Sequence, residues 1–140
     1  MRMLAIDYGE KRLGLAISDE LMMTARPLAT ILRVPKEKSF ARIKNYVQEL
    51  DVSQVVVGLP LRLDGTIGDA ALRVERFVTR LKAIIPCPVI TWDERLTSYE
   101  AEERMRDCGL SLSERRLRID EFAALIILED YLTKLTKLTK

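Results

Sequence analysis

Histidine is absent from all 140 residues, which excludes Ser/His/Asp and Cys/His nucleophilic systems and any zinc site built on imidazole. Only two cysteines occur, Cys87 and Cys108. They lack the close spacing of a metal knuckle or redox pair and are assigned no function. No apolar run is long enough to cross a bilayer. The opening Met1-Arg2-Met3 runs straight into Asp7, leaving too short an apolar segment for a signal peptide, so the expected compartment is the cytoplasm. A formal net charge of +2 is too small to name a polyanionic partner by itself. Chemistry in this chain is left to carboxylates, metals, lysines and hydroxyls.

What remains is balanced. Hydrophobic residues make up 48% and charged residues 31%, a folded-protein composition, and 140 residues suffice for one domain, 1–140, with a single buried core. An apolar run, Met3 to Ile6, delivers Asp7 into Tyr8-Gly9-Glu10-Lys11-Arg12-Leu13-Gly14, and a second strand, Leu13 to Ser18, pairs back after the turn. Leu28, Thr30 and Leu32 alternate in a third strand, Pro27 to Arg33. Phe40, Ile43, Val47 and Leu50 recur at helical steps. The β-branched run in Gln54 to Gly58 predicts a parallel strand buried on both faces. A loop, Leu61 to Asp69, precedes a helix carrying Ala71, Val74, Val78, Leu81 and Ile85, which Pro86 stops. Pro88 to Trp92 is a fifth strand, ending in Asp93-Glu94-Arg95. Thr97 stands three before Glu100, a capping box opening a helix that Gly109 ends near Cys108. Leu110 to Ile119 reads as an arginine-rich loop or ragged helix start, and the last helix begins at about Asp120. Leu132 to Lys140 repeats Leu-Thr-Lys, and its period of three predicts a frayed, solvated tail, 132–140. The order β-β-β-α-β-α-β-α-α predicts an α/β fold, a mixed five-stranded sheet flanked by helices, with ligands beyond the carboxyl ends of its central strands.

Asp7, Glu94 and Asp120 are remote in sequence, yet this topology can bring them to one sheet edge. Such a cluster repels itself unless cations occupy it, and carboxylate oxygens suit Mg2+ or Mn2+. Two such ions can activate water and stabilise the leaving oxygen of a phosphodiester, which removes the need for histidine. Each acid also has a simpler reading: Asp7 as a turn cap, Glu94 as a salt-bridge partner of Arg95 or Lys11, Asp120 as a first-turn acid. Asp93 competes with Glu94, because strand alternation turns neighbours to opposite faces and periodicity does not choose between the faces. Lys11 and Arg12 in the first turn, Arg62 in the loop, Arg95 beside the acids, and Arg115, Arg116 and Arg118 before Asp120 are where a phosphate backbone would lie. The arginine run can equally be a solvated face.

Four blocks now stand in order along nearly the whole chain: Asp7-Tyr8-Gly9-Glu10-Lys11-Arg12-Leu13-Gly14 through Asp19; Val57-Gly58-Leu59-Pro60-Leu61 with Asp64-Gly65; Asp93 to Ser98; and Ile119-Asp120 with Ala123-Ala124 and Ile127-Leu128. They resemble the YqgF/RuvX family. The resemblance implies an RNase H-like fold with Asp7, Glu94 and Asp120 as the metal site. It also implies a nuclease that processes the 5′ end of pre-16S ribosomal RNA, with Holliday junction resolution on DNA as the alternative.

Two other classes share part of this pattern. Actin-like kinases and Hsp70-type ATPases also open with a strand, an Asp and a glycine turn, but they close two such domains over a nucleotide. A non-catalytic nucleic-acid-binding module would have no use for three acids against a polyanion. No second apolar stripe demands a partner, so a monomer or weak homodimer acting on RNA is expected, with no membrane association. Leu21, Met22 and Met23 could still form a small interface.

Overall fold

The structure, a computed structural model, describes residues 1–60, 68–94 and 97–138. Arg62 and Arg95, with most of the loop between Leu61 and Asp69, lie outside the described residues. Strands β1 (Arg2–Tyr8), β2 (Arg12–Ser18) and β3 (Ala25–Leu32) form the expected meander. Helix α1 (Lys36–Glu49), strand β4 (Val52–Pro60), helix α2 (Asp69–Ile84) and strand β5 (Val89–Glu94) follow, then α3 (Thr97–Asp107) and α4 (Leu112–Leu138). The five strands lie in the order β3-β2-β1-β4-β5. The β1–β2 and β2–β3 pairs are antiparallel, and β1–β4 and β4–β5 are parallel. The carboxyl ends of β1, β4 and β5 therefore share one edge.

Strand alternation divides the core in two. Leu4, Ile6, Leu13, Leu15, Ile17, Val55, Val57 and Val89 face α1 and α2, where Ile43, Val47, Val74, Phe77 and Leu81 close over them. Met3, Ala5, Ala16 and Val56 face α3 and α4 and meet Ala101, Met105, Phe122 and Ile127. Each large aliphatic side chain fully buried this way contributes roughly 1.5–3 kcal/mol, so both helical layers are held mainly by packing. The α4 face of β1 and β2 is a row of small residues, with Ala5 opposite Ala16 and Asp7 opposite Gly14. Ala123 and Ala124, both buried, complement it from the helix. Small residues on both sides let α4 lie close to the sheet.

The last helix departs from the sequence reading at both ends. It does not begin at Asp120 but at Leu112, so Arg115, Arg116 and Arg118 are helical and Asp120 lies well inside it. A capping box opens it: the Glu114 N–H donates to Ser111 Oγ at 3.3 Å, and the Ser111 N–H donates to Glu114 Oε1 at 3.1 Å. The Ser111 side chain first, and then its N–H, hold the Glu114 carboxyl below its ordinary range by hydrogen bonding to it. Nor does the chain leave the helix at Leu132. The helix continues to Leu138, with Leu132 buried and Leu135 packed against the second cluster. Leu132 and Leu135, three apart, fall close enough on the helix surface to share the sheet-facing side, while Thr133, Lys134 and Thr136 are exposed. Among the described residues no helix is long and apolar enough to cross a membrane.

Candidate active site

Asp7 is the last α4-side position of β1, half-buried and paired across the ladder with Gly14. What sits over Gly14 is Asp120. A Cβ built on Gly14 would lie 1.9 Å from the Asp120 carbonyl oxygen, so the helix backbone rests directly on the strand there. The Asp120 side chain turns toward the β1–β2 turn, with its Oδ1 3.6 Å from where a Cβ on Gly9 would stand. The turn itself is closed by the Gly9 N–H donating to the Arg12 carbonyl at 2.9 Å. Residues 7, 9, 14 and 120 thus form one close-packed corner at the carboxyl edge of the sheet.

Burial pushes the Asp120 carboxyl above its ordinary range, and the nearby Arg12 guanidinium partly opposes that shift. A desolvated carboxylate with one cation at its margin is a group that gains from a further positive charge. Arg12 and Lys11 are themselves exposed at the turn.

Glu94 closes β5 at the same edge, in register with Pro60 of β4. Ile90 and Trp92 pack with the second cluster, against α4, whereas Val89 belongs to the first. By alternation position 93 shares the parity of Val89, and position 94 that of Ile90 and Trp92. Among the described residues no group of three or more metal-ligating side chains occurs, and the Glu94 side chain is not among those described. Asp7 and Asp120 are what the structure brings together, and Glu94 reaches the same edge by its backbone.

The three arginines of α4 separate into different environments. Arg116 is exposed, and Arg115 with Arg116 lines a shallow groove against Arg106 of α3. Arg118 donates to Glu121 Oε1 and lies 5.1 Å from the Phe122 ring centroid, so its charge is already engaged. Two residues escaped the sequence reading. Glu121, next to Asp120, is buried and accepts from Thr30 Oγ1 at 3.4 Å, tying α4 to β3. Its signal was a charged residue beginning an otherwise apolar helical stretch. Arg33 follows β3, donates to the Gly9 carbonyl at 3.1 Å and lies 5.1 Å from the Tyr8 ring centroid. Only the strand pairing reveals that position.

Sheet order, helix placement and an acid corner on the α4 side define an RNase H-like fold of the resolvase kind. The fowlpox virus Holliday junction resolvase shares it with a TM-score of 0.58 at 15% identity, covering 96% of this chain and 99% of that one. Thermus thermophilus RuvC in complex with a Holliday junction substrate does so with a TM-score of 0.53 at 16% identity, covering 96% of each chain. The chain belongs to the RuvX family, described as Holliday junction resolvase, which matches residues 1–134. It is 44% identical over 137 residues to the Syntrophus aciditrophicus protein named "Putative pre-16S rRNA nuclease", covering 98% of this chain and 91% of that protein.

Proposed function

We propose that this protein is a divalent-metal-dependent nuclease that hydrolyses phosphodiesters in the 5′ processing of pre-16S ribosomal RNA in the cytoplasm, with Asp7, Glu94 and Asp120 as its catalytic acids. The observation that carries the reading is the seating of Asp120 on Gly14, directly across the ladder from Asp7. Two half-buried carboxylates, one of them raised by burial, form a hard-oxygen donor set that fits Mg2+ or Mn2+. Bound there, a pair of such ions would supply Lewis acidity toward the attacking water and the leaving oxygen. The chain's own part is to fix the acids on two rigid elements and to orient the substrate. Lys11 and Arg12, exposed at the turn, would hold the phosphate backbone, and Arg115, Arg116 and Arg118 would extend that cationic surface, with Arg62 and Arg95 assigned to nucleic-acid binding from the sequence alone. Arg118 contributes least, since Glu121 already takes its charge.

The family description favours a second reading, resolution of four-way DNA junctions. That reaction needs two symmetric cuts and hence paired sites in a C2 dimer, whereas trimming an RNA end needs one. A monomer or weak homodimer acting on RNA is the reading adopted. The test offers a precursor ribosomal RNA end and a mobile four-way junction to wild-type protein and to Asp7→Asn at equal magnesium, with mass in solution measured alongside. Cleavage of the RNA by the wild type alone is expected. A stable dimer that makes paired cuts in the junction and spares the RNA overturns the substrate, and wild-type activity in Asp7→Asn overturns the acids.

A further inference from the structure

On the sheet face opposite α4 lies a cavity of about 240 Å³ between the end of β1, the start of α1 and helix α2. Its floor is aromatic. Phe77 stacks with Phe40 at 5.5 Å between centroids and meets Tyr8 at 4.8 Å. Its rim is cationic: Arg33, Lys36, Arg73, Arg76 and Arg80 line it, and among the described residues no carboxylate does. The three arginines of α2 are spaced i, i+3 and i+7, which sets them in one stripe along the helix. Nothing in hydrophobic packing calls for that composition.

The cavity connects to the acid corner through the chain itself. Tyr8 follows Asp7, and alternation turns it to the other face at the same sheet edge, where it packs against the first cluster. Arg33 bridges the two places, bonded to the Gly9 carbonyl of the turn and lying over the Tyr8 ring. A polyanion crossing the edge passes Lys11 and Arg12, then Arg33, then the α2 stripe.

We infer that this cavity is a subsite for an unpaired nucleotide flanking the cleaved phosphodiester, its base against the aromatic floor and its phosphate on the arginine rim. The inference rests on the nuclease reading and names its substrate form as single-stranded beside the cut. A base stacked within a duplex cannot enter a pocket of this size, whereas an unstacked base has its π-face available to the aromatic floor.

The test measures fluorescence anisotropy of the full chain, in EDTA, with a labelled single-stranded RNA and with a blunt duplex of the same sequence. Arg76→Ala with Arg80→Ala should weaken single-strand binding roughly tenfold and reduce the slope of log affinity against log salt by about 1.4, at about 0.7 per lost contact. Duplex binding should not change. Phe40→Leu, checked for folding by circular dichroism, should cost the single strand roughly tenfold with the salt slope intact, because stacking releases no counterions. Equal losses for both RNA forms, or none for either, overturn the inference. So does adenosine 5′-monophosphate that binds tightly while leaving RNA affinity unchanged, which would make the pocket a free-nucleotide site. Because these arms need no cleavage, failure of the catalytic assignment in Asp7→Asn is read separately.

Discussion

Gly14 and Asp120 are in contact through their backbones, with no room for a side chain between them: a Cβ on Gly14 would also stand 2.8 Å from the Glu121 amide nitrogen. Backbone on both sides means that neither neighbour can rotate away. Gly14→Ala must therefore push α4 off β2, separating Asp120 from Asp7 and disturbing the packing of Ala123 and Ala124. We expect a loss of about 3 kcal/mol or more by urea unfolding, above the usual overpacking range, and loss of cleavage in whatever protein remains folded. A loss under about 1 kcal/mol would mean that the helix floats at this contact.

The carboxylate pair at the end of β5 gives a ranking. Position 94 shares its parity with Ile90 and Trp92, which pack beneath α4, and position 93 shares it with Val89 on the other face. Glu94→Gln should lower kcat by at least about a hundredfold, the scale of removing an electrostatic stabiliser from an active site. Asp93→Asn should be the milder change. Steady-state rates of the two variants at equal magnesium decide it, and the reverse order would transfer the role to Asp93.

Much of this arrangement was legible from residue order because short-range rules set it. The alternation Met3, Ala5, Asp7 and the glycine turn fix the first hairpin, and the β-branched run at Val55 to Val57 fixes a buried parallel strand. The start of α4 is not legible because its leucines, Leu112 and Leu117, are exposed and form no apolar stripe. The only local sign was the Ser111-to-Glu114 box, which is a capping signal and not a periodic one. The cavity at Tyr8 was illegible for a different reason. Its arginines come from the end of β3 and from α2, and only the packing of α2 on the sheet brings them together around Tyr8.

Arg116 and Arg118 sit two residues apart on α4 and should respond differently to substitution. Arg116 is exposed, whereas Arg118 is bonded to Glu121 and seated on Phe122. Arg116→Ala should lower the salt slope of nucleic-acid binding by about one without changing stability. Arg118→Ala leaves buried Glu121, among the described residues, with only its hydrogen bond from Thr30, so it should cost about 1–3 kcal/mol in unfolding and change the slope little. Equal slopes for Arg116→Ala and wild type would make the arginine run a solvated face.

Asp130 of α4 and Glu100 of α3 carry an electrostatic penalty that pH should reveal. Burial, then the neighbouring Glu129 charge, lifts the Asp130 carboxyl above its ordinary range. Burial, followed by the charges of Asp130 and Glu103, does the same for Glu100. A carboxyl raised in the folded state binds its proton more tightly there, so between the unfolded and folded pKa the folded chain holds more protons. Stability contributed by the protonated form is then lost as pH rises through that window, and the penalty is complete above it. Both side chains keep much of their surface in water, which screens the effect. Asp130→Asn should raise the thermal midpoint at pH 7 by roughly a degree or two, a gain that disappears below about pH 4, where the unfolded carboxyl is itself protonated. Adding Glu100→Gln should bring less than its separate gain, because Asp130 is one of the charges that lifts Glu100. A midpoint that falls at pH 7, or a gain that persists unchanged into acid, would mean that these acids are stabilised by their surroundings and not opposed by them.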